Sequence, residues 1–378
     1  MGDHDTEMGG MSLAQHKTRF AVIGAGHGGT ALAGYLAVRG YTVNLFNRSL
    51  RRLEGILEAG GIQLEGSAKG FGRLEYVGSD IERALYGVDV VMVVVPASGH
   101  LSVAELCASH LTHGQLVLLN PGRTGGALEF YHTIRSRGNS ADVIVAEAQT
   151  FLFASRRTGE ASAKIFGTKS AVPVAALPAT KTARALALLK GALPQFVAAS
   201  DVLETSFDNI GAIFHPTPMI LNAGRIQATG GDFDYYREGI TPAVAKVLEQ
   251  LDAERVAVAR AYGARARSAR RWMADAYGVE RQTLYDAIVA HEGYRGIRAP
   301  VDLNHRYIFE DVPMSLVPIS SMGQVAGVET PTIDAVIQLA SVLLGEDYWA
   351  LGRTVDVLGL EGMSVEEVKR YVRFGESR

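Results

Sequence analysis

The chain has 378 residues, 47% of them hydrophobic and 20% charged, which is the composition of a globular protein of about two domains. The formal net charge of −3 includes no basic excess, so we expect no nucleic-acid partner. The single cysteine, Cys107, excludes an internal disulfide and a cysteine-based zinc site, and it fits a reducing, cytoplasmic location.

Residues 1–17 are polar and acidic, and they predict a disordered leader without the apolar stretch of a secretory signal. The longest apolar run, residues 88–97, is too short to span a bilayer, so we expect no membrane partner. Four clustered arginines predict a solvated helix face: Arg265, Arg267, Arg270 and Arg271.

Strand and helix patterns alternate through the first half of the chain. Buried strands are predicted at residues 19–24, 41–46, 89–96, 115–122 and 142–150, with shorter ones at 61–66 and 73–78. Continuous apolar strands with helices between them are typical of a parallel sheet that is covered on both faces.

The second half changes to helical patterns, and no strand is predicted after residue 205. Residues 241–263 begin with Thr241 as the N-cap, followed by a proline, and they end at a glycine. Residues 330–345 repeat this arrangement. We expect an all-α domain over residues 204–378, in which the apolar helix stripes serve either the core or a homodimer interface.

The stretch 22–49 carries Gly24, Gly26 and Gly29 between a predicted strand and a predicted helix. In this spacing the first glycine permits a tight turn, the second lets a pyrophosphate approach the backbone, and the third allows close packing of helix on strand. Residues 18–203 are therefore predicted to form a Rossmann-type dinucleotide-binding domain, and the fold class is α/β followed by all-α.

The end of the second predicted strand distinguishes between two cofactors. NAD-specific sites place an acidic residue there to hold the ribose hydroxyls, whereas this chain has Asn47 and Arg48, with Arg51 and Arg52 close behind. A guanidinium binds a 2′-phosphate through charge-assisted hydrogen bonds, so the sequence favours NADP(H). NAD(H) is also compatible if Arg48 only stacks on adenine.

Three segments resemble the opine dehydrogenases: "NPGRTGG" at 120–126, "FDNIGAIFHPTPMILNAGRIQ" at 207–227 and "NHRYIFEDVPMSLVPIS" at 304–320. Members of that family condense the amino group of an amino acid with a 2-oxo acid such as pyruvate. They reduce the resulting imine with hydride from a nicotinamide cofactor. The resemblance covers nearly the whole chain and implies the same activity, including the reverse oxidation.

The resemblance also implies roles for three side chains. His215 pairs with Asp311, and Arg306 binds a substrate carboxylate. Their chemistry suits these roles, because a histidine oriented by a carboxylate handles protons near neutral pH, and a guanidinium binds a carboxylate through two hydrogen bonds. The neighbouring His305 is expected to point elsewhere.

Further contacts are expected where the predicted strands end, since open α/β sheets bind ligands at their carboxyl edge. Pro96, Asn120 and Arg123 are expected to shape the nicotinamide end of the cleft, and Thr150 to contact the substrate. Trp272 fits either the core or a wall of the substrate site.

Two alternative functions remain open. A reductase of the ketopantoate or glycerol-3-phosphate type would use a lysine of the helical domain, and Lys246 is the only lysine between positions 191 and 368. A non-catalytic nucleotide-binding protein would keep the fold without the reaction. The sequence has no His-x-x-x-His pair and no G-x-S-x-G motif, so we expect neither a metal nor hydrolase chemistry.

Overall fold

The computed structural model describes residues 17–375, which form an α/β part followed by a helical part. The fold class predicted from the sequence is therefore confirmed. The predicted leader, residues 1–17, lies outside the described residues except for Lys17.

Two sheets form the strand framework of the α/β part. In chain order the described strands are β1 (Phe20–Ile23), β2 (Val43–Phe46), β3 (Gly61–Gly66), β4 (Gly70–Arg73), β5 (Tyr76–Gly78), β6 (Val90–Val93), β7 (Leu116–Leu119), β8 (Ile144–Ala148), β9 (Phe153–Gly159), β10 (Ser162–Thr168), β11 (Val172–Leu177) and β12 (Phe196–Ala198). The large sheet has the order β12-β11-β8-β7-β6-β1-β2-β5, and the small one has the order β4-β3-β10-β9. Neighbours in the large sheet are parallel except for β8 and β11.

The register of the large sheet brings several strand ends to one edge. Ile23 in β1 pairs with Phe46 in β2 and with Val93 in β6, and Val93 pairs with Leu119 in β7. These strands are buried along their whole length because helices cover both faces of the sheet. The loops that follow them therefore meet at the carboxyl edge, where α/β sheets bind ligands.

Helices cover the large sheet and form the whole second half. Those of the α/β part are α1 (His27–Val38), α2 (Glu54–Ala59), α3 (Ile81–Leu85), α4 (His100–Cys107), α5 (Gly126–Ser136) and α6 (Thr182–Leu189). Those of the helical part are α7 (Val202–Phe207), α8 (Gly211–Phe214), α9 (Pro216–Leu221), α10 (Ala223–Thr229), α11 (Pro242–Ala261), α12 (Ala269–Tyr277), α13 (Leu284–Ala290), α14 (Arg306–Phe309), α15 (Val317–Ala326), α16 (Pro331–Leu344), α17 (Tyr348–Leu351) and α18 (Val365–Phe374). Within residues 17–375, no helix combines the length and the apolar character needed to cross a membrane.

The two predicted threonine caps differ in the structure. Thr241 Oγ1 accepts a hydrogen bond from the Val244 amide at 3.3 Å, as expected for an N-cap of α11. Thr330 precedes α16 but makes no such bond, and its hydroxyl donates to Ser320 Oγ at 2.9 Å instead. The hydroxyl of Thr330 is buried beside α15, so a side-chain partner replaces the helix backbone.

The strand prediction needs two corrections. The predicted strand at 73–78 is divided, because Gly70–Arg73 pairs with β3 in the small sheet while Tyr76–Gly78 joins the large one. The strands β9 to β12, between residues 153 and 198, were not predicted either. In β9 and β10 many side chains face solvent, so their apolar content is too low to reveal a strand.

The end of the chain returns to the α/β part. A Cβ atom at Gly125 would overlap Leu358, and one at Gly359 would overlap His132 of α5, so these segments are tightly packed.

The boundary between the two parts lies between Ala198 and Val202, where strands are followed by helices. The predicted division into domains 18–203 and 204–378 stays a prediction.

Arg353 anchors this returning segment. Its fully buried guanidinium forms an ion pair with Glu129 at 2.8 Å. It also donates hydrogen bonds to the carbonyl oxygens of Gly122 at 3.0 Å, Thr124 at 3.1 Å and Ala97 at 3.2 Å. These carbonyls lie in the loops after β6 and β7, so one side chain ties both loops to the end of the chain.

We expect Arg353→Met to lower the free energy of unfolding by about 3–5 kcal/mol, because it leaves the buried Glu129 carboxylate and three carbonyls without their partner. Urea unfolding measures the change. The matched control is Arg271→Met, because Arg271 is 66% exposed in its ion pair with Asp275, and we expect a loss below about 1 kcal/mol. Equal losses in the two variants would contradict the anchoring role.

Candidate active site

A cleft of about 1070 Å³ lies between the α/β part and the helical part. One wall consists of loops that follow β1, β6, β7 and β8, and the other includes α8, α12 and α14. The residues predicted for the site that line it are Gly26, Pro96, Asn120, Arg123, Thr150, His215, Trp272 and Arg306. Asp311 is fully buried, Gly24 and Gly29 flank the start of α1, and Asn47 and Arg48 follow β2.

The glycine loop has the shape that a dinucleotide requires. A Cβ atom on Gly24 or Gly29 would overlap backbone atoms, whereas one on Gly26 would meet no atom within 4 Å. No side chain caps the N-terminus of α1, which begins directly after Gly26. Free backbone N–H groups therefore face an open space, and the residues fit the pyrophosphate of a dinucleotide cofactor.

Arginines surround the end of β2. Asn47 Oδ1 accepts a hydrogen bond from the Ala25 amide at 3.1 Å and so holds the glycine loop, while Arg48 beside it is exposed. Arg157 Nη1 donates to the carbonyl oxygens of Ala25 at 3.3 Å and Arg52 at 2.9 Å. An adjoining depression of about 630 Å³ is lined by Ser49, Arg51, Arg52, Arg157, Gly159 and Glu160. Arg157 is a cation at this end that the sequence did not predict.

His215 and Asp311 lie 96 positions apart in sequence but meet in the structure. His215 stands between α8 and α9, and its Nδ1 is 2.8 Å from Asp311 Oδ2. Donation of the Nδ1 proton to the buried carboxylate leaves Nε2 for the cleft, and no described residue hydrogen-bonds that atom. The pair can transfer a proton to or from a bound molecule.

The charge of Asp311 is set by its neighbours. Burial raises the pKa of its carboxyl group, but Arg123 and His215 outweigh burial and lower that pKa to about 2. Arg123 Nη1 lies 3.3 Å from Asp311 Oδ1, and the Ser315 hydroxyl donates to the same oxygen at 3.4 Å. Asp311 is therefore ionised at neutral pH and can stabilise an imidazolium ion.

Glu310 connects two arginines of the cleft. Its buried Oε1 lies 3.4 Å from Arg123 Nε, and its Oε2 lies 2.9 Å from Arg306 Nη2. The amide of Ala97 also donates to Oε1, at 3.2 Å. Arg306 is 50% exposed at the rim, whereas Arg123 is 11% exposed and lies deeper.

Aromatic rings form the rest of the helical wall. The Tyr307 ring stacks on His215 with 4.0 Å between centroids and 9° between planes, which fixes the plane of the imidazole. His305 accepts a hydrogen bond from the Tyr307 amide at 3.4 Å, so it caps α14 and does not line the cleft. Trp272 lines the cleft, with Phe214, Tyr236, Tyr277 and Tyr294. Trp272 also packs against the hydrophobic core, so the structure shows features of both options for this residue.

The remaining predicted contacts lie at the carboxyl edge of the sheet. The amide group of Asn120 is buried after β7 and donates to the Leu118 carbonyl at 2.8 Å. Thr150, after β8, accepts a hydrogen bond from Lys169 Nζ at 3.2 Å. Within residues 17–375, no three His, Cys, Asp or Glu side chains are placed to hold a metal ion.

The prediction of a solvated arginine face is wrong for Arg267. This residue precedes α12, lines the cleft and forms an ion pair with the buried carboxylate of Asp208. The partner lies 59 positions away, so the local charge pattern could not indicate it. Arg265, Arg270 and Arg271 are exposed.

Sequence reasoning also missed Glu310 and Tyr307, although both belong to the segment that carries Arg306 and Asp311. Their positions directly next to Arg306 and Asp311 were the one feature of the sequence that could have indicated a role in the site. Their partners, Arg123 and His215, are supplied by distant parts of the chain.

Comparison with known proteins identifies the family. A sequence model described as "NAD/NADP octopine/nopaline dehydrogenase, alpha-helical domain" matches residues 198–344, and "NAD binding domain of 6-phosphogluconate dehydrogenase" matches residues 19–120. The opine dehydrogenase of Arthrobacter sp. (strain 1C) is 41% identical over 361 residues, which cover 95% of this chain and 100% of that protein. The chain belongs to the opine dehydrogenase family.

Solved structures show the same fold. An octopine dehydrogenase with NADH and L-arginine has a TM-score of 0.78 at 22% identity, covering 93% of this chain and 97% of its own. A yersinopine dehydrogenase with NADP⁺ has a TM-score of 0.73 at 16% identity, covering 94% and 99%. As an opine dehydrogenase, the protein is an NAD(P)-dependent oxidoreductase that acts on CH–NH groups of small molecules.

Neither alternative function is favoured. Lys246, which a ketopantoate-type reductase would need in its site, is exposed on α11 and does not line the cleft. A non-catalytic role is not favoured either, because a relative that is 41% identical over 95% of this chain is an opine dehydrogenase. The activity is that of an opine dehydrogenase: reductive condensation of an amino acid with a 2-oxo acid, and its reverse.

Gly26→Ala and Gly29→Ala form a matched pair that tests the cofactor loop. We expect Gly26→Ala to change the free energy of unfolding by less than about 1 kcal/mol but to raise the Kd for NADPH at least tenfold, because its methyl group enters only the cofactor's space. Gly29→Ala is expected to cost more than about 2 kcal/mol, because its methyl group overlaps Gly24. Thermal unfolding and fluorescence titration measure the two effects. Unchanged NADPH affinity in Gly26→Ala would refute the assignment of the loop.

Proposed function

We propose that the cleft performs the opine dehydrogenase reaction with His215 as the proton-transfer group and Asp311 as its partner. The observation that carries this proposal is the 2.8 Å contact between His215 Nδ1 and Asp311 Oδ2 beside a cleft that also holds the glycine loop. Such a pair keeps the imidazole in one tautomer and one orientation.

The proposed proton steps use His215 Nε2. When the amine attacks the carbonyl carbon of the 2-oxo acid, the resulting hydroxyl must leave as water, and protonated His215 donates a proton to it. The ionised Asp311 stabilises the imidazolium before that transfer. A bound nicotinamide cofactor supplies the hydride that reduces the imine. In the oxidative direction His215 accepts the proton.

Arg306 is proposed to bind the carboxylate of the 2-oxo acid. Glu310 engages its Nη2 atom only, and half of the side chain is exposed, so other N–H groups remain for a ligand. A planar guanidinium can hold a carboxylate in one orientation, which brings the carbonyl carbon towards His215. Thr150, whose hydroxyl lies at the carboxyl end of β8, is proposed as a further substrate contact.

The proposed cofactor is NADP(H), with NAD(H) as the weaker alternative. Arg48 is exposed two residues after the end of β2, and Arg51, Arg52 and Arg157 line the depression that begins at Ser49. Burial and the neighbouring charge of Arg52 lower the pKa of Arg157, as expected where cations gather without enough carboxylates. A 2′-phosphate would relieve this repulsion. Glu160 in the same depression opposes an anion, so the preference rests on the excess of arginines.

A two-substrate assay tests the activity. We expect NADPH oxidation to require both pyruvate and an amino acid, because the hydride acceptor forms only when the two condense. Absorbance at the reduced nicotinamide band measures the rate over a panel of L-amino acids. Oxidation with the oxo acid alone would support a simple reductase, and no oxidation with any pair would reject the proposal.

His215→Ala serves as the internal control of that assay. We expect kcat to fall by about 10²–10⁴-fold while the Kd for NADPH changes less than threefold, because the loop that binds the cofactor is untouched. Turnover at the wild-type rate would remove His215 from the mechanism.

The ratio of kcat/KM for NADPH to that for NADH tests the cofactor preference. We expect NADPH to be preferred, and Arg48→Gln to reduce the ratio about tenfold, because one charge-assisted contact to the 2′-phosphate is lost. Arg39→Gln is the matched control, since Arg39 is also exposed but lies at the far end of α1. A preference of the wild type for NADH would overturn this assignment.

The homodimer and the cytoplasmic location stay predictions. The apolar stripe of α16 is buried within the chain, through Ile333, Val336, Ile337 and Ala340, so it belongs to the core. Exposed apolar side chains on the same helix, Leu339, Val342 and Leu343, are the surface that a homodimer would cover.

A further inference from the structure

The reaction requires two carboxylate sites. Condensation of an amino acid with a 2-oxo acid gives a product with a carboxylate on each side of the new secondary amine. The proposed function, on which this inference rests, assigns one of them to Arg306. The second carboxylate also needs a cationic partner, because leaving it unpaired in a partly enclosed cleft is costly.

Besides Arg306, the described Lys and Arg side chains that line the cleft are Arg123, Lys169 and Arg267. Arg267 is occupied, because its Nε and Nη2 atoms both bind the carboxylate of Asp208. Lys169 donates to Thr150 Oγ1 and to the carbonyl of Phe151, away from the His215–Asp311 pair. Arg123 is the cation that adjoins the pair.

Arg123 keeps a donor group available. Its Nε binds Glu310, and its Nη1 contacts Asp311 Oδ1 at 3.3 Å and Asn209 Oδ1 at 3.4 Å. Its Nη2 hydrogen-bonds no described residue and is not among the buried unpaired atoms. Because Arg123 and His215 bind the two oxygens of one carboxylate, that of Asp311, they adjoin the same part of the cleft.

The backbone supports this position. Arg123 has φ of +60°, and it is the one described non-glycine residue in the left-handed region. Residues other than glycine rarely adopt this backbone conformation, and those that do are often found at functional sites. Gly211 leaves the space that the side chain needs, because a Cβ atom there would overlap Arg123 Nη1 and lie 3.3 Å from His215 Cε1.

We infer that Arg123 binds the α-carboxylate of the amino acid, and that Glu310 sets its distance from Arg306. One oxygen of Glu310 accepts a hydrogen bond from Arg123 Nε at 3.4 Å, and the other forms an ion pair with Arg306 Nη2 at 2.9 Å without hydrogen-bond geometry, so the buried carboxylate attracts both arginines to its two sides. Arg123 and Arg306 together then hold the two carboxylates of the condensed product, one on each side of the nitrogen that reacts. Glu310 is a positioning residue in this arrangement.

Matched substrates that lack one carboxylate test the inference. The amino side is probed with L-alanine, L-leucine, L-phenylalanine and L-arginine against ethylamine, 3-methylbutylamine, phenethylamine and agmatine. The oxo side is probed with pyruvate against acetaldehyde. The readout is the ratio of kcat/KM with and without the carboxylate, measured in wild type, Arg123→Gln and Arg306→Gln.

We expect the wild type to favour the best amino acid over its amine by at least 100-fold. Arg123→Gln should reduce this ratio at least tenfold, mainly through the KM of the amino acid, and should keep the preference for pyruvate over acetaldehyde. Arg306→Gln should reduce the preference for pyruvate over acetaldehyde and should keep the preference for the amino acid over its amine. Arg123→Lys, which keeps the charge but not the planar fork, should give an intermediate ratio, and it carries the test if Arg123→Gln fails to fold.

Two outcomes would overturn the inference, and they are distinguishable. If Arg123 only holds Asp311 in place, its variants lose activity equally with the amino acid and the amine, and the ratio stays at the wild-type value. If the wild type turns over no pair of substrates, the proposed function fails and this inference fails with it. Thermal unfolding and the Kd for NADPH show whether each variant is folded.

Discussion

The cleft depends on the contacts of the buried Arg353 guanidinium with Glu129 and with the loops after β6 and β7. A charge without access to water must find partners for its N–H groups, and Arg353 finds them in Glu129 and in backbone carbonyls of the loops after β6 and β7. These loops carry Pro96, Asn120 and Arg123. The wall of the α/β part therefore has its shape because a residue more than 220 positions later holds it.

Shared ion pairs between buried charged groups also occur in the site itself. Asp311 is shared by Arg123 and His215, and Glu310 is shared by Arg123 and Arg306, so acidic and basic groups alternate along the cleft. Burial and the positive charge of Arg353 lower the pKa of His100 well below its usual value, so this histidine stays neutral behind the wall. Each charged group thus restricts the position or the protonation of the next.

Much of this could be predicted from the sequence, since the glycine spacing is a local signal and the segments around His215 and Asp311 are specific to the family. What could not be predicted depends on distant contacts. Glu310 lies in a recognised segment, but its role follows from Arg123, 187 positions away. Arg267 reads as a solvated arginine until Asp208 is placed beside it. The strands β9 and β10 were missed because many of their side chains face solvent, and their apolar sides become clear only against α1. The strand β11 was missed although its residues are apolar and almost all buried.

The return of residues 353–375 to the α/β part has a consequence for biosynthesis. A chain that emerges from the ribosome N-terminus first can form the large sheet early, since all of its strands lie before residue 199. The loops after β6 and β7 lack their anchor until Arg353 has been translated. Until then the carboxyl edge of the nascent sheet is incomplete, and a ribosome that stops before residue 353 releases a chain that has its glycine loop but lacks the anchor of the cleft wall.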